Sequence, residues 1–173
     1  MPKYGYHPLA KCILYTHNDF SLLVVRLVLG VVMLPHGAQK LLGWFGGYGF
    51  AGTMDYFGSL GIPALFGFLA IVAEFFGGLA LVAGVLTRVA ALGIGSVLLV
   101  AALVVHLPNG FFMNWFANQP GEGVEYFVLA GGLALVLVLR GGGAWSLDRV
   151  LTERVLHANQ ASAQRPTPVS LQQ

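Results

Sequence analysis

Residues 34–49, LPHGAQKLLGWFGGYG, place polar side chains at the end of a long apolar run. His36 and Lys40 are four residues apart, so in a helix they share one face. An imidazole and an ammonium on one face can donate hydrogen bonds to a quinone oxygen or hold a small anion. The pair therefore indicates one wall of a polar binding pocket.

Glu74 is the most deeply placed ionisable residue of the second apolar run. Its position is roughly 15 Å along a helix that begins near residue 64, close to the middle of a bilayer. An ionisable group there costs about 2.5–3.5 kcal/mol on insertion scales, so we expect Glu74 to be neutral or paired with a cation. Arg26, Lys40 and His36 are the candidate partners, and a proton relay is the functional alternative to a structural pair.

His106 and Glu125 lie at the ends of the third and fourth apolar runs. Four helices of alternating direction would bring them to the depth of His36 and Lys40, although helix rotation decides whether they converge. We therefore predict a ligand-binding or proton-relay site from His36, Lys40, Glu74, His106 and Glu125. Two histidines with a carboxylate could also ligate a metal, but no tight ligand motif accompanies them, and no metal site is predicted. Catalytic residues stay unknown, since no nucleophile triad or nucleotide fingerprint occurs.

The composition indicates that the chain is dissolved in lipid. Only 9% of its 173 residues are charged and 57% are hydrophobic, whereas a soluble domain carries about 25% charged residues. The net charge of +2 and the lack of basic runs exclude nucleic acid as an expected partner. The single cysteine, Cys12, excludes an internal disulfide. The bilayer is the first expected partner.

Four apolar runs predict an all-α fold, a polytopic membrane four-helix bundle. They cover about residues 21–42, 64–86, 89–107 and 124–139. A helix of about 20 residues crosses the hydrocarbon core, and the fourth run reaches that length only with flanking residues. Lysines and arginines precede the first run, separate the second from the third, and follow the fourth. The positive-inside rule therefore predicts that both termini are cytoplasmic.

The loops and termini complete the predicted organisation. In the first outer loop, four apolar residues share one helix face, which predicts a short amphipathic helix at the outer interface. These residues are Phe50, Met54, Phe57 and Leu60, with Thr53, Asp55 and Ser59 off that face. Residues 1–20 are expected to be a cytoplasmic segment, residues 21–140 the membrane domain, and residues 141–173 a cytoplasmic tail that is disordered after about residue 157. The first run is expected to remain as an uncleaved span.

Arg26 and Arg88 are predicted as structural or charge-pair residues. Arg26 lies about 8 Å inside the cytoplasmic edge of the first run, so it either snorkels to the headgroups or pairs with Glu74. Arg88 lies in the tight turn between the second and third runs. The glycine pairs at 77–78 and 131–132 are expected to permit close helix packing.

Four stretches occur in order between about residues 26 and 151. They are RLVLGVVMLPHGAQKLLGWFGGYGFAGT, AEFFGGLALVAGVLTRVAAL, VVHLPNGFF and EYFVLAGGLALVLVLRGGGAWSLDRVL. With them the chain resembles the DoxX family of small four-helix membrane proteins, which includes DoxD-like relatives. Where the family usually reads Gly-Pro-Gly before Ser-Leu-Asp, this chain has Gly141, Gly142 and Gly143. The matched polar positions are Arg26, His36, Lys40, Glu74, Arg88, His106 and Glu125.

The resemblance implies a cytoplasmic-membrane protein. It also implies a link to redox assemblies, because some relatives serve in thiosulfate-to-quinone electron transfer or in complexes of thiol and oxidative-stress chemistry. The leading hypothesis is a bacterial inner-membrane subunit of a quinone- or thiol/sulfur-linked redox system, with a polar pocket near the outer leaflet. Electrons would need a bound quinone or a soluble or membrane redox partner protein. The cofactor is otherwise unknown.

Two other functions stay open on the sequence. The chain could be a non-catalytic membrane scaffold or assembly factor whose buried charges only set helix register. It could also be a small-solute or proton transporter, although no inverted repeat is evident. The residues do not decide whether the chain is a catalytic oxidoreductase subunit or whether it forms a homo-oligomer.

Overall fold

The structure, a computed structural model, describes residues 13–154, which form helices and no strand. The helices are α1 (Phe20–Leu42), α2 (Gly49–Ser59), α3 (Ala64–Ala83), α4 (Thr87–Ala101) and α5 (Glu125–Arg140). A π-helical turn (Ala102–His106) and a 3-10 turn (Leu107–Asn109) extend α4, and residues 147–154 are helical again. The predicted all-helical class is confirmed. The predicted disorder after about residue 157 lies outside the described residues.

Within the described part of the chain, three helical segments are long and apolar enough to cross a membrane. They are Phe20–Leu42, Ala64–Ala83 and Thr87–Asn109. The fourth apolar helix, α5, has 16 residues, about 24 Å at 1.5 Å per residue, against roughly 30 Å of hydrocarbon. A fourth crossing and the orientation of the bundle stay predictions.

Glycines bring the backbones of α1 and α3 into contact. A Cβ atom added to Gly37 would lie 2.4 Å from the backbone N and Cα of Phe75, and one added to Gly78 would lie 2.9 Å from the backbone N of Leu34. Such small residues are what allows membrane helices to approach closely. Gly131 differs, because nothing lies within 4 Å of an added Cβ. Gly132 is equally open. The close packing predicted from the glycine pairs is therefore present at Gly78, between α1 and α3, and absent at Gly131 and Gly132 in α5.

The apolar core lies where α1, α3, α4 and α5 meet. Its largest fully buried members are Leu29, Met33, Leu81, Ile94 and Leu137. The outward faces of the same helices carry exposed Val31, Leu92 and Leu129. A bundle that is apolar both inside and outside suits a lipid environment, in which helices satisfy their own backbone hydrogen bonds.

At one end of the bundle, side chains pair the free backbone groups of helix termini. This end, called the capped end below, contains the N-termini of α1 and α4 and the C-termini of α3 and α5. Arg26 is 1% exposed and donates to the carbonyl oxygens of Leu81 at 2.6 Å and Val82 at 2.7 Å in the last turn of α3. It also donates to the carbonyls of Gly142 at 3.1 Å and Trp145 at 3.3 Å. Arg26 therefore neither snorkels nor forms an ion pair among the described residues.

Arg88 and Asp148 cap two further helices at the same end. Arg88 Nη1 donates to the carbonyls of Val138 at 2.6 Å and Leu139 at 2.9 Å in the last turn of α5. The buried carboxylate of Asp148 accepts hydrogen bonds from the backbone N–H of Thr87 at 2.9 Å and from that of Leu86 at 2.7 Å. Cations at helix C-termini and anions at N-termini match the sign of the helix dipole. The contacts of Arg26 and Arg88 are thus those of helix caps.

Candidate functional site

Lys40 and Glu74 form an ion pair between α1 and α3. The Lys40 Nζ lies 2.5 Å from Glu74 Oε2, and the side chains are 27% and 6% exposed, respectively. Gly37 makes this contact reachable, since a Cβ there would lie only 2.7 Å from the backbone carbon of Glu74. Lys40 follows Gly37 by three residues on the same side of α1. The glycine thus brings α3 close enough for the lysine to reach its carboxylate.

A pocket of about 250 Å³ lies beside Lys40. It is formed by the last turn of α1, the glycine-rich turn after it, and α2. Its lining residues are Gln39, Lys40, Gly46, Gly47, Tyr48, Thr53, Tyr56 and Phe57. The side chains of these lining residues include an ammonium, an amide, two phenols and a phenyl ring, a set that suits a small ring with hydrogen-bond acceptors.

Thr53 attaches α2 to α1 at this pocket. It is the buried residue of α2, and its Oγ1 donates to the carbonyl oxygen of Lys40 at 3.3 Å. Thr53 lies off the predicted apolar face, and it packs toward α1 because its hydroxyl can reach a free carbonyl at the C-terminus of that helix. Phe50 and Leu60 of the apolar face are exposed, as expected for a face directed at the outer interface. The interfacial location of α2 stays a prediction.

Sequence reasoning missed the residues that the turn and α2 contribute. Tyr48, Thr53 and Tyr56 line the pocket but were not candidates. The available signal was the glycine spacing in GWFGGYG, because Gly43 and Gly46 both have positive φ values. Such glycines fold the chain sharply back onto α1.

His36 lies outside this group. Its side chain is exposed, and it does not line the pocket beside Lys40. Although it shares the predicted helix face with Lys40, the ion pair that Lys40 makes does not include it. The structure therefore does not bring His36 together with Glu74.

His106 and Glu125 belong to a second group, at the loop between α4 and α5. The ring of His106 packs against Phe127 with centroids 4.2 Å apart, and its Nδ1 lies 2.9 Å from the carbonyl oxygen of Glu122. Glu125 Oε2 accepts a hydrogen bond from the backbone N–H of Met113 at 3.1 Å. Both side chains thus hold loop backbone. Within residues 13–154, no three His, Cys, Asp or Glu residues are grouped in a way that could hold a metal ion.

Tyr126 lies between the two groups. Its hydroxyl donates to the sulfur of Met33 in α1 at 3.7 Å. No spacing in the sequence relates this phenol to Met33, since the two residues are on different helices. Tyr126 therefore joins the start of α5 to α1.

Comparison with known proteins gives one family and three relatives. The DoxX family model matches residues 21–107. The chain is 31% identical over 143 residues to "Inner membrane protein YqjF" of Escherichia coli, covering 79% of this chain and 96% of that protein. It is 30% identical over 151 residues to "Uncharacterized membrane protein Rv3486" of Mycobacterium tuberculosis, covering 82% and 88%.

A third relative bears a name that refers to redox chemistry. The chain is 27% identical over 96 residues to "Putative oxidoreductase CatD" of Bacillus subtilis, covering 56% of this chain and 67% of that protein. No solved structure matches the chain.

Proposed function

The chain belongs to the DoxX family, and from that premise we propose that it is a membrane subunit of a redox system whose pocket beside Lys40 binds a quinone head group. It is a multi-pass protein of the bacterial inner membrane. The similarity to a protein named as an oxidoreductase supports the redox part of the proposal.

The observation that carries the proposal is the position of Lys40, which is bound to buried Glu74 and also lines the pocket. Because the ion pair has no net charge, it favours a neutral hydrogen-bond acceptor over a free anion, which Glu74 would repel. A quinone oxygen is such an acceptor. A volume of about 250 Å³ is below the range of small-molecule pockets, which starts at about 300 Å³, so it suits a single ring rather than a whole quinone with its tail.

The residues of the chain would then bind the ring and move a proton. A bound quinone would supply the two-electron, two-proton chemistry, with the electrons coming from a partner redox protein. Lys40 would donate a hydrogen bond to a ring oxygen, and Tyr56 and Phe57 would contact the ring. Glu74, held at 2.5 Å from Lys40, would accept or return a proton through that ammonium.

We propose that α5 is the fourth crossing and that the capped end faces the cytoplasm. Arg88 and Arg140 lie at that end, and Arg149 follows in the helical residues 147–154. A concentration of arginines on one side supports a cytoplasmic location for it. The pocket beside Lys40 would then lie toward the outer leaflet.

The test is quinone retention. Wild-type protein and the variants Lys40→Met and Glu74→Gln are purified in mild detergent, and quinone in lipid extracts is measured per mole of protein. Loss of a hydrogen bond to a charged donor costs about 1.5–3 kcal/mol. We therefore expect Lys40→Met to bind a short-chain quinone with an affinity at least about tenfold lower than that of wild type. Gly131→Ala is the control, because a Cβ at Gly131 meets nothing within 4 Å.

Two results would contradict the quinone assignment. One is wild-type protein that neither retains quinone nor binds a short-chain analogue. The other is equal binding by wild type and Lys40→Met. Binding of thiosulfate, with no binding of quinone, would instead indicate a sulfur anion as the ligand of the pocket.

A second function, a non-catalytic scaffold or assembly factor, is favoured by the short ion pair, in which each charge satisfies the other. On that reading, Glu74→Gln lowers the thermal stability of the bundle and leaves quinone content unchanged. Thermal unfolding measured on the same preparations separates the two functions.

A further inference from the structure

The loop between α4 and α5 presents aromatic side chains to the outside. Phe111, Phe112, Trp115 and Phe116 are each more than half exposed. No charged residue occurs from residue 107 to residue 121. An uncharged aromatic surface of this kind marks a contact with lipid or with protein, because such surface is unfavourable in water.

The backbone of this loop is hydrogen-bonded by two carboxylates, Glu122 of the loop itself and Glu125 at the start of α5. The N–H of Asn114 donates to Glu122 Oε2 at 2.6 Å, and the N–H of Met113 donates to Glu125 Oε2 at 3.1 Å. Neither carboxylate is turned toward a cation among the described residues. The acidic side chains of the loop are thus used to satisfy its own amides.

Further bonds close the loop on itself. Asn114 and Gln119 exchange two hydrogen bonds between side chain and backbone, at 3.0 and 3.1 Å. The N–H of Gly123 donates to the carbonyl of Phe112 at 3.2 Å, and the N–H of Glu125 to that of Phe111 at 2.8 Å. Irregular backbone can approach hydrocarbon only where its polar groups are satisfied by protein. In this loop the amides of Met113, Asn114, Gln119, Gly123 and Glu125 are satisfied by protein, while the aromatic rings are exposed.

The length of α5 is a second and independent observation. Its 16 residues span about 24 Å and leave roughly 6 Å of a 30 Å hydrocarbon core uncovered. Arg88 fixes the C-terminal turn of α5 at the capped end. The uncovered length therefore falls at the N-terminal end, where the loop joins α5 and where exposed Val128 and Leu129 continue the apolar surface.

We propose that residues 111–116 insert into the bilayer interface at the end of the bundle away from the capped end, where they complete the short α5. The partner is the region between phospholipid headgroups and acyl chains. Aromatic residues are enriched at this depth because their rings are apolar and compatible with the headgroup region. The proposal rests on α5 as the fourth crossing, and it does not depend on what the pocket beside Lys40 binds.

The test uses Trp115 as a depth probe in the full chain, reconstituted in phosphatidylcholine vesicles. Trp44 and Trp145 are replaced by phenylalanine, and quenching is compared between lipids brominated near the carboxyl end and near the methyl end of the acyl chain. Iodide reports exposure to water. The matched reference has all three tryptophans replaced and carries Glu153→Trp, at an exposed position of the helical residues 147–154. We expect strong quenching of Trp115 by the carboxyl-end bromines and little by iodide, and the reverse for the reference.

Two outcomes overturn the proposal. Iodide quenching of Trp115 as strong as that of the reference would place the loop in water. Protection from both quenchers would mean that protein, a partner or a second copy, covers it. If the single-tryptophan variants do not fold, the difference in quenching between wild type and Trp115→Phe gives the same measurement.

Discussion

Two basic residues of α1 are held inside the bundle, and their partners differ in kind. Arg26 gives its hydrogen bonds to four backbone carbonyl oxygens, whereas Lys40 gives its bond to one carboxylate. A guanidinium has five donors in a fixed plane and stays protonated, while an ammonium is compact and can give up a proton. Carbonyl oxygens cannot change their protonation state, but a carboxylate can. The first arrangement can only hold helices, and the second can also take part in proton transfer.

Exposure separates the same two residues. Arg26 is 1% exposed and is enclosed by the carbonyls that it caps, whereas 27% of the Lys40 side chain is exposed and borders a pocket. A charge that is fully enclosed has no access to a ligand. We therefore expect substitutions at Arg26 to act on stability and substitutions at Lys40 to act on ligand binding as well.

Arg26→Met should have the largest effect. It removes the donor to the carbonyl of Val82 and to two carbonyls in the 142–145 segment, while the carbonyl of Leu81 keeps a bond from the N–H of Gly84 at 3.2 Å. A buried unsatisfied group costs about 1–3 kcal/mol. We expect a loss of about 3 kcal/mol or more in the free energy of unfolding, with Arg26→Lys intermediate because an ammonium has only three donors. Equilibrium unfolding in mixed detergent micelles measures this loss for both variants. If the unfolding free energy of Arg26→Met lies within about 0.5 kcal/mol of wild type, Arg26 does not hold the helices together, and the contrast in role between Arg26 and Lys40 fails.

Gly37→Ala should have the next largest effect. The added methyl would lie 2.4 Å from backbone atoms of Phe75, so α1 and α3 must separate, at a cost of about 1–3 kcal/mol. Because this separation also lengthens the Lys40–Glu74 contact, quinone retention should fall together with stability. Gly131→Ala is the matched control and should be neutral or stabilising by up to about 1 kcal/mol, the difference in helix propensity. Equal behaviour of the two variants would show that close helix contact does not position the ion pair.

Asp148→Asn should have the smallest effect. Each oxygen of Asp148 accepts from one amide, so asparagine keeps an acceptor for only one of the two, and it loses the negative charge that complements a helix N-terminus. We expect a loss of about 1 kcal/mol in unfolding free energy and unchanged quinone retention. A change in quinone retention at unchanged stability would mean that the capped end influences the pocket, contrary to the separation described above.

The sequence predicts polar residues inside the membrane better than it predicts their partners. Depth along a helix identified Arg26 and Glu74 as groups that need compensation, and Lys40 was among the candidate partners of Glu74. The choice of Lys40 depends on helix rotation and on the close approach at Gly37, which no pattern of residue types encodes. The partners of Arg26 are carbonyl groups, which every residue has, so side-chain identity could not reveal them.

The pocket was predictable only in part, because its walls come from different kinds of segment. Lys40 follows from the spacing within one helix. Tyr48 and Tyr56 depend on how the glycine-rich turn folds back onto α1, and His36 is absent because its side chain faces outward. Local periodicity determines which residues share a helix face, while loop conformation determines what lies opposite that face.

The bonds of Arg26 also have a consequence for biogenesis. Two of its acceptors lie 116 and 119 residues further along the chain, so they are synthesised long after α1 has left the ribosome. Until then the guanidinium must be accommodated by water, headgroups or the insertion machinery. The segment that contains Gly142 and Trp145 therefore closes the bundle late, and a chain that ends before it would retain an unsatisfied cation by which membrane quality control could recognise it.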